Sequence, residues 1–410
     1  MPSNNNLLVI TYWSFNDALI QAYTLPYLKY ITDNHPPGTK LFLVTLEPNL
    51  DKMGFSKLKN SPEVLKLKNN GVHLKPFRYF PFGIKMIGQW IKIFFILLKL
   101  IRYEKVSTLH TWCTPAGAAG YILSKLTGKT LVLDSFEPHA EPMLESNTWH
   151  KNSLAFRLLF YLEKQQIKRA KGAIACVPSM RDYSLKKYGY IPSIFTSKPA
   201  CVDLKHFSIL KCKNEILIKK YGFRKKIVCV YAGKFGGSYL GKETFDFFKV
   251  AYDYWEDSFR VLLLSSHSDA EIENFCSESN LPVEIINKVF VPHNEVPEYM
   301  GLGDFGITPF VPVPSKRYGS PIKTGEYLAL GLPVVITKDI SDDSEQITIH
   351  NAGYVLKDLN PNEYLRAVKT IEEILRNPEH KSQIREVALL TRDFKFAQRV
   401  YNSFYKELNT

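Results

Sequence analysis

Two stretches in the second half of the chain carry residue types suited to a phosphorylated ligand. The first is YAGKFGGSYLGKETF, residues 231–245. An apolar run ends in Gly233, and Gly236, Gly237 and Gly241 follow between Lys234 and Lys242. Glycines let backbone N–H groups approach an anion, and two ammonium groups facing one diphosphate would neutralise a leaving group. The spacing is neither GxGxxG nor GxxxxGKS/T, so it is no nicotinamide fingerprint and no P-loop.

The second stretch is GSPIKTGEYLALGLPVVIT, residues 319–337. Ser320 as a cap and Pro321 in the first turn predict a helix start. Gly331 and Pro333 predict its end near Leu330, and PVVIT reads as a buried strand. A helix N-terminus offers N–H groups and a positive dipole end to a diphosphate near Ser320, Ile322 and Lys323. Glu326 lies about one and a half turns in, on a side read as polar, where a carboxylate can accept both hydroxyl hydrogens of a ribose. A plain capped helix with a surface glutamate, and a flexible loop with solvated lysines, fit the same residues, so both readings stay open at this level.

The first half offers LVLDSFEPHAEP, residues 131–142, where Asp134, Glu137, His139 and Glu141 follow a strand-like run. His110 ends the preceding run and is the weaker histidine candidate. YWSFNDALIQAY, residues 12–23, places Asn16 and Asp17 in the loop after the first run.

These residues need a frame that presents them at one edge. Short β-branched runs alternate with helical-period segments along the 410 residues. Strands are predicted at 7–13, 40–46, 72–77, 106–112, 130–136, 172–178 and 193–199, with helices near 15–33, 56–69, 84–103, 115–127, 153–170 and 179–188. After an irregular segment at 199–215 the alternation restarts. Strands at 225–233, 259–265, 283–287 and 304–310 are separated by helices at 242–255 and near 269–279 and 294–301. A final amphipathic helix is predicted at 393–408. Such alternation implies parallel sheets covered by helices on both faces, with ligands at the carboxyl ends of the strands.

Charge is uneven. Residues 1–199 hold 26 Lys+Arg against 12 Asp+Glu, and the remainder 27 against 28, so the first half carries the whole excess of +13. A basic half suits an anionic partner such as a membrane surface. Residues 78–103 are its best candidate, with KPFRYFPFG adding aromatic and basic residues at its start. Lys85, Lys92 and Lys99 recur on one face of a helix otherwise filled by Trp90, Ile91, Phe94, Phe95, Leu97 and Leu98, the pattern of an interfacial segment. A helix packed on the sheet with its lysines in solvent fits equally. Helix-turn-helix, zinc-finger and RNP motifs are missing, which argues against nucleic acid. The six cysteines form no CxxC pair. With no signal-like N-terminus, the expectation is a cytoplasmic protein.

The second half resembles the donor domain of the retaining GT-B glycosyltransferases grouped as family 4. That family runs through a loop ending in KG or KE, a V-P-x-x-E-V-P-x-Y-M-like stretch, D-x-G-I-x-P, and S-P-x-K-x-x-E-Y-x-A-x-G-x-P-V-V. Here YAGKFGGSYLGKE, VPHNEVPEYMGLGDFGITPF and SPIKTGEYLALGLPVV stand in that order, after PACVDLKHF. The likeness covers residues 199–340 well and the first half loosely.

The resemblance implies an α/β protein of the GT-B type: two Rossmann-like domains whose parallel sheets face an interdomain cleft. Residues 1–200 would bind the acceptor and 201–390 the nucleotide-sugar donor, and 391–410 would form a helix crossing back to the N-terminal domain. Lys234, Lys242, Ser320, Ile322 and Lys323 would hold the diphosphate, and Glu326 the ribose. Ser266, His267, Val291 and Pro292 would line the base. His139 would lie near the transferred sugar, with Asn16, Asp17 and Glu137 on the acceptor side. The donor is then a substrate, and neither metal nor cofactor is expected. A lipid-linked or polysaccharide acceptor fits the basic first half, and the expected location is then cytoplasmic, peripheral on the inner face of the cytoplasmic membrane.

The chain departs from the family in three places. Tyr318 stands where a first glutamate is frequent, Lys234 replaces the commoner arginine, and no Gly-Gly follows the first strand. Tyr318 leaves the contact to the donor sugar unassigned. A sugar-nucleotide epimerase of the same fold and a non-catalytic sugar-nucleotide-binding subunit are the rival readings.

Overall fold

The computed structural model describes residues 5–410 apart from Ala18, Asn49, Phe82 and Gly83, and leaves out the side chains of Lys52 and Ile84. The chain divides into two compact units. One comprises residues 1–141, 150–198 and 397–410, and the other residues 142–149 and 199–396.

The first unit holds a seven-stranded parallel sheet in the order β3-β2-β1-β4-β5-β6-β7. Its strands are β1 (Asn6–Ile10), β2 (Leu41–Glu47), β3 (Val72–Arg78), β4 (Val106–Trp112), β5 (Thr130–Phe136), β6 (Gly172–Ala175) and β7 (Ile194–Ser197). Every residue of β1 and β2 is buried, as expected of strands covered on both faces. The connections are α1 (Leu25–Asp33), α2 (Lys52–Lys59), α3 (Pro62–Asn69), α4 (Ile84–Tyr103), α5 (Cys113–Thr127), α6 (Ala140–Glu145), α7 (Leu154–Arg169) and α8 (Met180–Tyr183).

The second unit holds a six-stranded parallel sheet in the order β10-β9-β8-β11-β12-β13. Its strands are β8 (Ile227–Ala232), β9 (Phe259–Leu264), β10 (Ile286–Val289), β11 (Phe305–Thr308), β12 (Val334–Thr337) and β13 (Gly353–Leu356). Its helices are α9 (Glu215–Tyr221), α10 (Lys242–Trp255), α11 (Asp269–Glu278), α12 (Val296–Met300), α13 (Ile322–Ala329), α14 (Asp343–Ile349), α15 (Pro361–Arg376) and α16 (His380–Thr391). Two apolar clusters pack on the sheet, one around Val230, Tyr327 and Leu330, the other around Phe245, Phe305 and Tyr364. The last helix, α17 (Phe394–Asn409), buries Tyr401, Phe404 and Tyr405. Both units are Rossmann-like.

The differences from the sequence reading are local. The helix expected at 56–69 is two helices, because Ser61 accepts from Val64 N–H and starts a second one at Pro62. The segment 15–33 begins as a π-helical turn, Leu19–Thr24, before Pro26 opens α1. VEIIN gives a 3-10 turn, Val283–Ile285, before β10.

Candidate functional site

In the second sheet the chain order reverses between β8 and β11, which are hydrogen-bonded neighbours. A crevice at the carboxyl ends of strands at such a switch point is the usual ligand site of an open α/β sheet. The glycine-rich stretch leaves β8 there and Pro309–Val313 leaves β11. The two loops are tied together. Leu240 N–H donates to the Pro309 carbonyl (2.8 Å) and Val311 N–H to the Ser238 carbonyl (3.0 Å). The Tyr239 and Phe310 rings lie 4.5 Å apart. Gly236 and Tyr239 exchange two 3.1 Å backbone bonds, closing a two-residue turn headed by Gly237 at φ 63°. A positive φ there suits glycine.

The start of the loop is fixed from below. Tyr231 Oη donates to the Lys234 carbonyl (2.6 Å), and Phe235 N–H donates to His267 Nε2 (2.8 Å). Gly233 has φ 157°, and a Cβ on it would lie 2.9 Å from Lys323 Cε. Glycine therefore allows the α13 lysine to come close to the end of β8.

Helix α13 starts at Ile322 after Pro321 without any side-chain cap. This corrects the expectation that Ser320 caps it. Ser320 Oγ accepts instead from Ala200 N–H (2.9 Å) and Arg392 Nη1 (2.8 Å), which ties the turn to the segment behind it. The first amides of α13, including those of Ile322 and Lys323, are left without a side-chain acceptor, the condition in which a helix end takes up an anion. Lys323 Nζ lies 5.3 Å from the centre of the Tyr239 ring.

Glu326 is not on a polar surface, as the sequence reading had it. It is 8% exposed. Burial pushes its carboxyl up to about 7, against the pull of Lys323. Among the described residues its carboxylate has no hydrogen bond or ion pair. A buried carboxylate is normally paired, so this one is suited to donors brought by a ligand.

Lys234 is exposed at the start of the loop. Lys242 opens α10, and its ammonium lies 2.8 Å from each oxygen of Asp246 on the same helix. Side-chain geometry thus commits Lys242 to Asp246 in this state. Of the residues expected at the base, Ser266 and His267 follow β9, while Val291 and Pro292 follow β10, at the carboxyl ends of adjacent strands. Both ring nitrogens of His267 face protein groups: Nε2 accepts from Phe235, so Nδ1 carries the hydrogen towards Glu271 Oε1 (3.3 Å). Its ring also stacks on Phe235. It shapes the loop.

Sequence reasoning did not single out Ser238, Tyr239, Phe310 or Lys316, which the structure brings to the same place. Lys316 Nζ lies 3.0 Å from Ser238 Oγ and 5.5 Å from the Phe310 ring centre. The signal that could have flagged it is SKRYG just before the SPIK motif.

In the first unit, Asn16 is exposed after β1, and Asp17 Oδ1 accepts from Leu19 N–H (2.8 Å), starting the helical turn. The Glu137 carbonyl accepts from the Thr114 hydroxyl (2.9 Å) and faces His139 Nδ1 at 3.3 Å. The backbone N–H groups of His139 and Ala140 both donate to Glu163 Oε1 at 2.8 Å. Burial raises the Glu163 carboxyl, partly offset by these bonds.

Asp134 does not share a surface cluster with Glu137 and His139. It is buried, as is His110, whose Nε2 lies 2.9 Å from Asp134 Oδ2. Lys198 Nζ lies 3.1 Å from Oδ1, and Tyr401 Oη donates to Oδ2 at 2.5 Å. Burial alone would raise the Asp134 carboxyl, but Lys198, His110 and Tyr401 hold it well below the usual range. Glu141 is likewise engaged, accepting from Tyr183 Oη and Lys187 Nζ.

No protein-family model matches the sequence, and no curated protein matches it. Solved structures do match over nearly the whole chain. Sucrose-phosphate synthase from Thermosynechococcus elongatus is 14% identical with a TM-score of 0.70, over 98% of this chain and 99% of its own. HepE from Anabaena, solved in complex with UDP-glucose, is 13% identical with a TM-score of 0.69, over 98% and 99%. WaaG, a glycosyltransferase involved in lipopolysaccharide biosynthesis, is 13% identical with a TM-score of 0.69, over 97% and 99%. At these identities the likeness is one of fold, and the fold is that of the GT-B glycosyltransferases.

Proposed function

We propose that the chain is a glycosyltransferase that moves a sugar from a nucleoside diphosphate donor to an acceptor hydroxyl. The observation that carries this reading is in the second unit. An uncapped helix end, the Lys323 ammonium and the buried, unpaired Glu326 carboxylate stand beside a glycine-rich loop at the sheet's switch point. The helix amides and Lys323 take the diphosphate, Lys234 covers it from the loop, and Glu326 accepts the ribose hydroxyls. The departing diphosphate is stabilised by these fixed charges. Lys242 joins when it exchanges Asp246 for phosphate. By the family resemblance the reaction retains the anomeric configuration, and the ligand charge is met without a metal.

The acceptor side is the first unit. Asn16 and Asp17 follow β1, which pairs with β4 at that sheet's own switch point, and Glu137 and His139 follow β5. The acceptor is a lipid-linked or polysaccharide hydroxyl. Among the described residues no helix is long and apolar enough to cross a membrane. Helix α4 offers a surface contact instead. It buries Ile93, Leu97 and Ile101 and leaves Ile87, Ile91 and Phe95 more than half exposed, beside exposed Lys85, Lys92 and Lys99. An apolar row next to a lysine row suits the headgroup layer of an anionic bilayer at the cytoplasmic face.

The test is release of nucleoside diphosphate from a panel of sugar nucleotides, with UDP-glucose first because of the HepE complex, in the presence of EDTA and candidate acceptors. Turnover that requires acceptor and falls at least tenfold in Glu326→Gln supports the reading. A wild-type protein that neither binds nor consumes any sugar nucleotide refutes it. Interconversion of donors without acceptor would identify the epimerase instead.

A further inference from the structure

We propose that Arg392 is a positioning residue of the donor site: it draws the Ser320 hydroxyl off the start of α13, so that the first amides of that helix stay open to the diphosphate. The inference rests on the donor reading of the second unit. Serine followed by proline is a favoured opening of a helix, the hydroxyl accepting from the second or third amide. In SPIK those amides belong to Ile322 and Lys323, the two expected to hold the diphosphate. Left to its local preference, Ser320 would occupy them with its own oxygen.

Ser320 is held from behind instead. Both acceptor positions of its Oγ are filled, one by Ala200 N–H (2.9 Å) and one by Arg392 Nη1 (2.8 Å). Arg392 is buried, and its Nη2 is paired with the buried Asp343 carboxylate. Its backbone is fixed on both sides: the N–H donates to the Ala388 carbonyl and the carbonyl accepts from Val202 N–H, each at 2.8 Å. The guanidinium thus spans Asp343 and Ser320 with one planar fork, which a lysine cannot copy.

Helix α13 is shaped for this arginine. A Cβ on Gly325 would lie 3.3 Å from both Cγ and Cδ of Arg392 and 2.9 Å from Val202 Cγ2. Glycine inside a helix is destabilising relative to alanine. Here the missing side chain leaves the arginine stem its path to Ser320. Arg392 acts through Ser320 and not on the ligand.

Affinity for UDP and GDP is measured by calorimetry on the full-length protein, with the arginine changed in two ways. Arg392→Lys keeps a charge beside Asp343, and Arg392→Met with Asp343→Leu replaces the buried pair without stranding a charge. Each is made alone and together with Ser320→Ala. Made alone, each should weaken both nucleotides about tenfold, because a cap must be displaced before they bind. Added to Ser320→Ala, the same changes should cost less than about threefold relative to Ser320→Ala itself, because no hydroxyl remains to cap. Amide exchange of the nucleotide-free protein carries the matching signature: it slows at Ile322 and Lys323 in the arginine variants, and does not when Ser320→Ala is present. Equal losses with and without Ser320→Ala reduce Arg392 to packing and overturn the inference. Wild-type affinity in the arginine variants overturns it while leaving the donor site standing. If the double replacement does not fold, judged by circular dichroism, Arg392→Lys decides on the same criteria. A wild type that binds neither UDP nor GDP overturns both this inference and the donor reading.

Discussion

Lys198 Nζ lies 3.1 Å from Asp134 Oδ1 with both side chains wholly buried, and the other oxygen of the same carboxylate meets His110 and Tyr401. The group ties the end of β7 and the last helix to the centre of the first sheet. Removing one partner of a buried pair strands the other charge, which costs about 3–5 kcal/mol. Lys198→Met is expected to lower unfolding stability by that order. Urea titration of the variant checks it, and an unchanged midpoint would show that the carboxylate is held without the lysine.

The same carboxylate sets an acid limit. Its folded pKa is depressed, so its contribution is complete above the unfolded value of about 3.9 and is lost as pH falls towards the folded value. Wild-type stability should therefore decline steeply below about pH 4. In Asp134→Asn this part of the decline should be missing, although the variant starts lower. Thermal melts from pH 2 to 7 distinguish the two profiles.

Tyr401→Phe removes one hydrogen bond to Asp134 and keeps the ring. Loss of a bond to a buried charged group costs about 1.5–3 kcal/mol. The expected sign is destabilisation with an unchanged fold, read by circular dichroism and urea titration.

Glu326 behaves oppositely to Asp134. Its folded pKa is raised to about 7, so between roughly pH 4.5 and 7 the folded state binds more protons than the unfolded one and stability falls as pH rises. A ribose that donates to the carboxylate favours its charged form. Donor affinity should rise between pH 5.5 and 8 in the wild type and stay flat in Glu326→Gln. The same substitution should stabilise the unliganded protein near pH 8, because it removes an unpaired buried charge.

Most of the frame was legible from periodicity. The β-branched runs at 7–13, 40–46 and 130–136 became β1, β2 and β5 because parallel strands buried on both faces have no polar alternation to mislead the eye. Helices α15 and α16 and strand β13 lie beyond the motifs and were not assigned. At the site, the helix that carries Lys323 and Glu326 was readable from Pro321, Gly331 and Pro333, but the burial of Glu326 was not. What could not be read was which side chains other residues claim. Ser320 has the composition of a cap, yet Arg392, 72 residues away, holds its hydroxyl. Asp134 and His110 looked like edge residues, but Tyr401 and Tyr405 from the far end of the chain cover them.

A diphosphate seated between the glycine-rich loop and the start of α13 would shield the amides of both from solvent. Amide hydrogen exchange with and without UDP or GDP reports on that seat directly. Protection concentrated in residues 233–241 and 320–326 is the expected result. Exchange that is unchanged there, while saturating nucleotide protects another region or none, would contradict it.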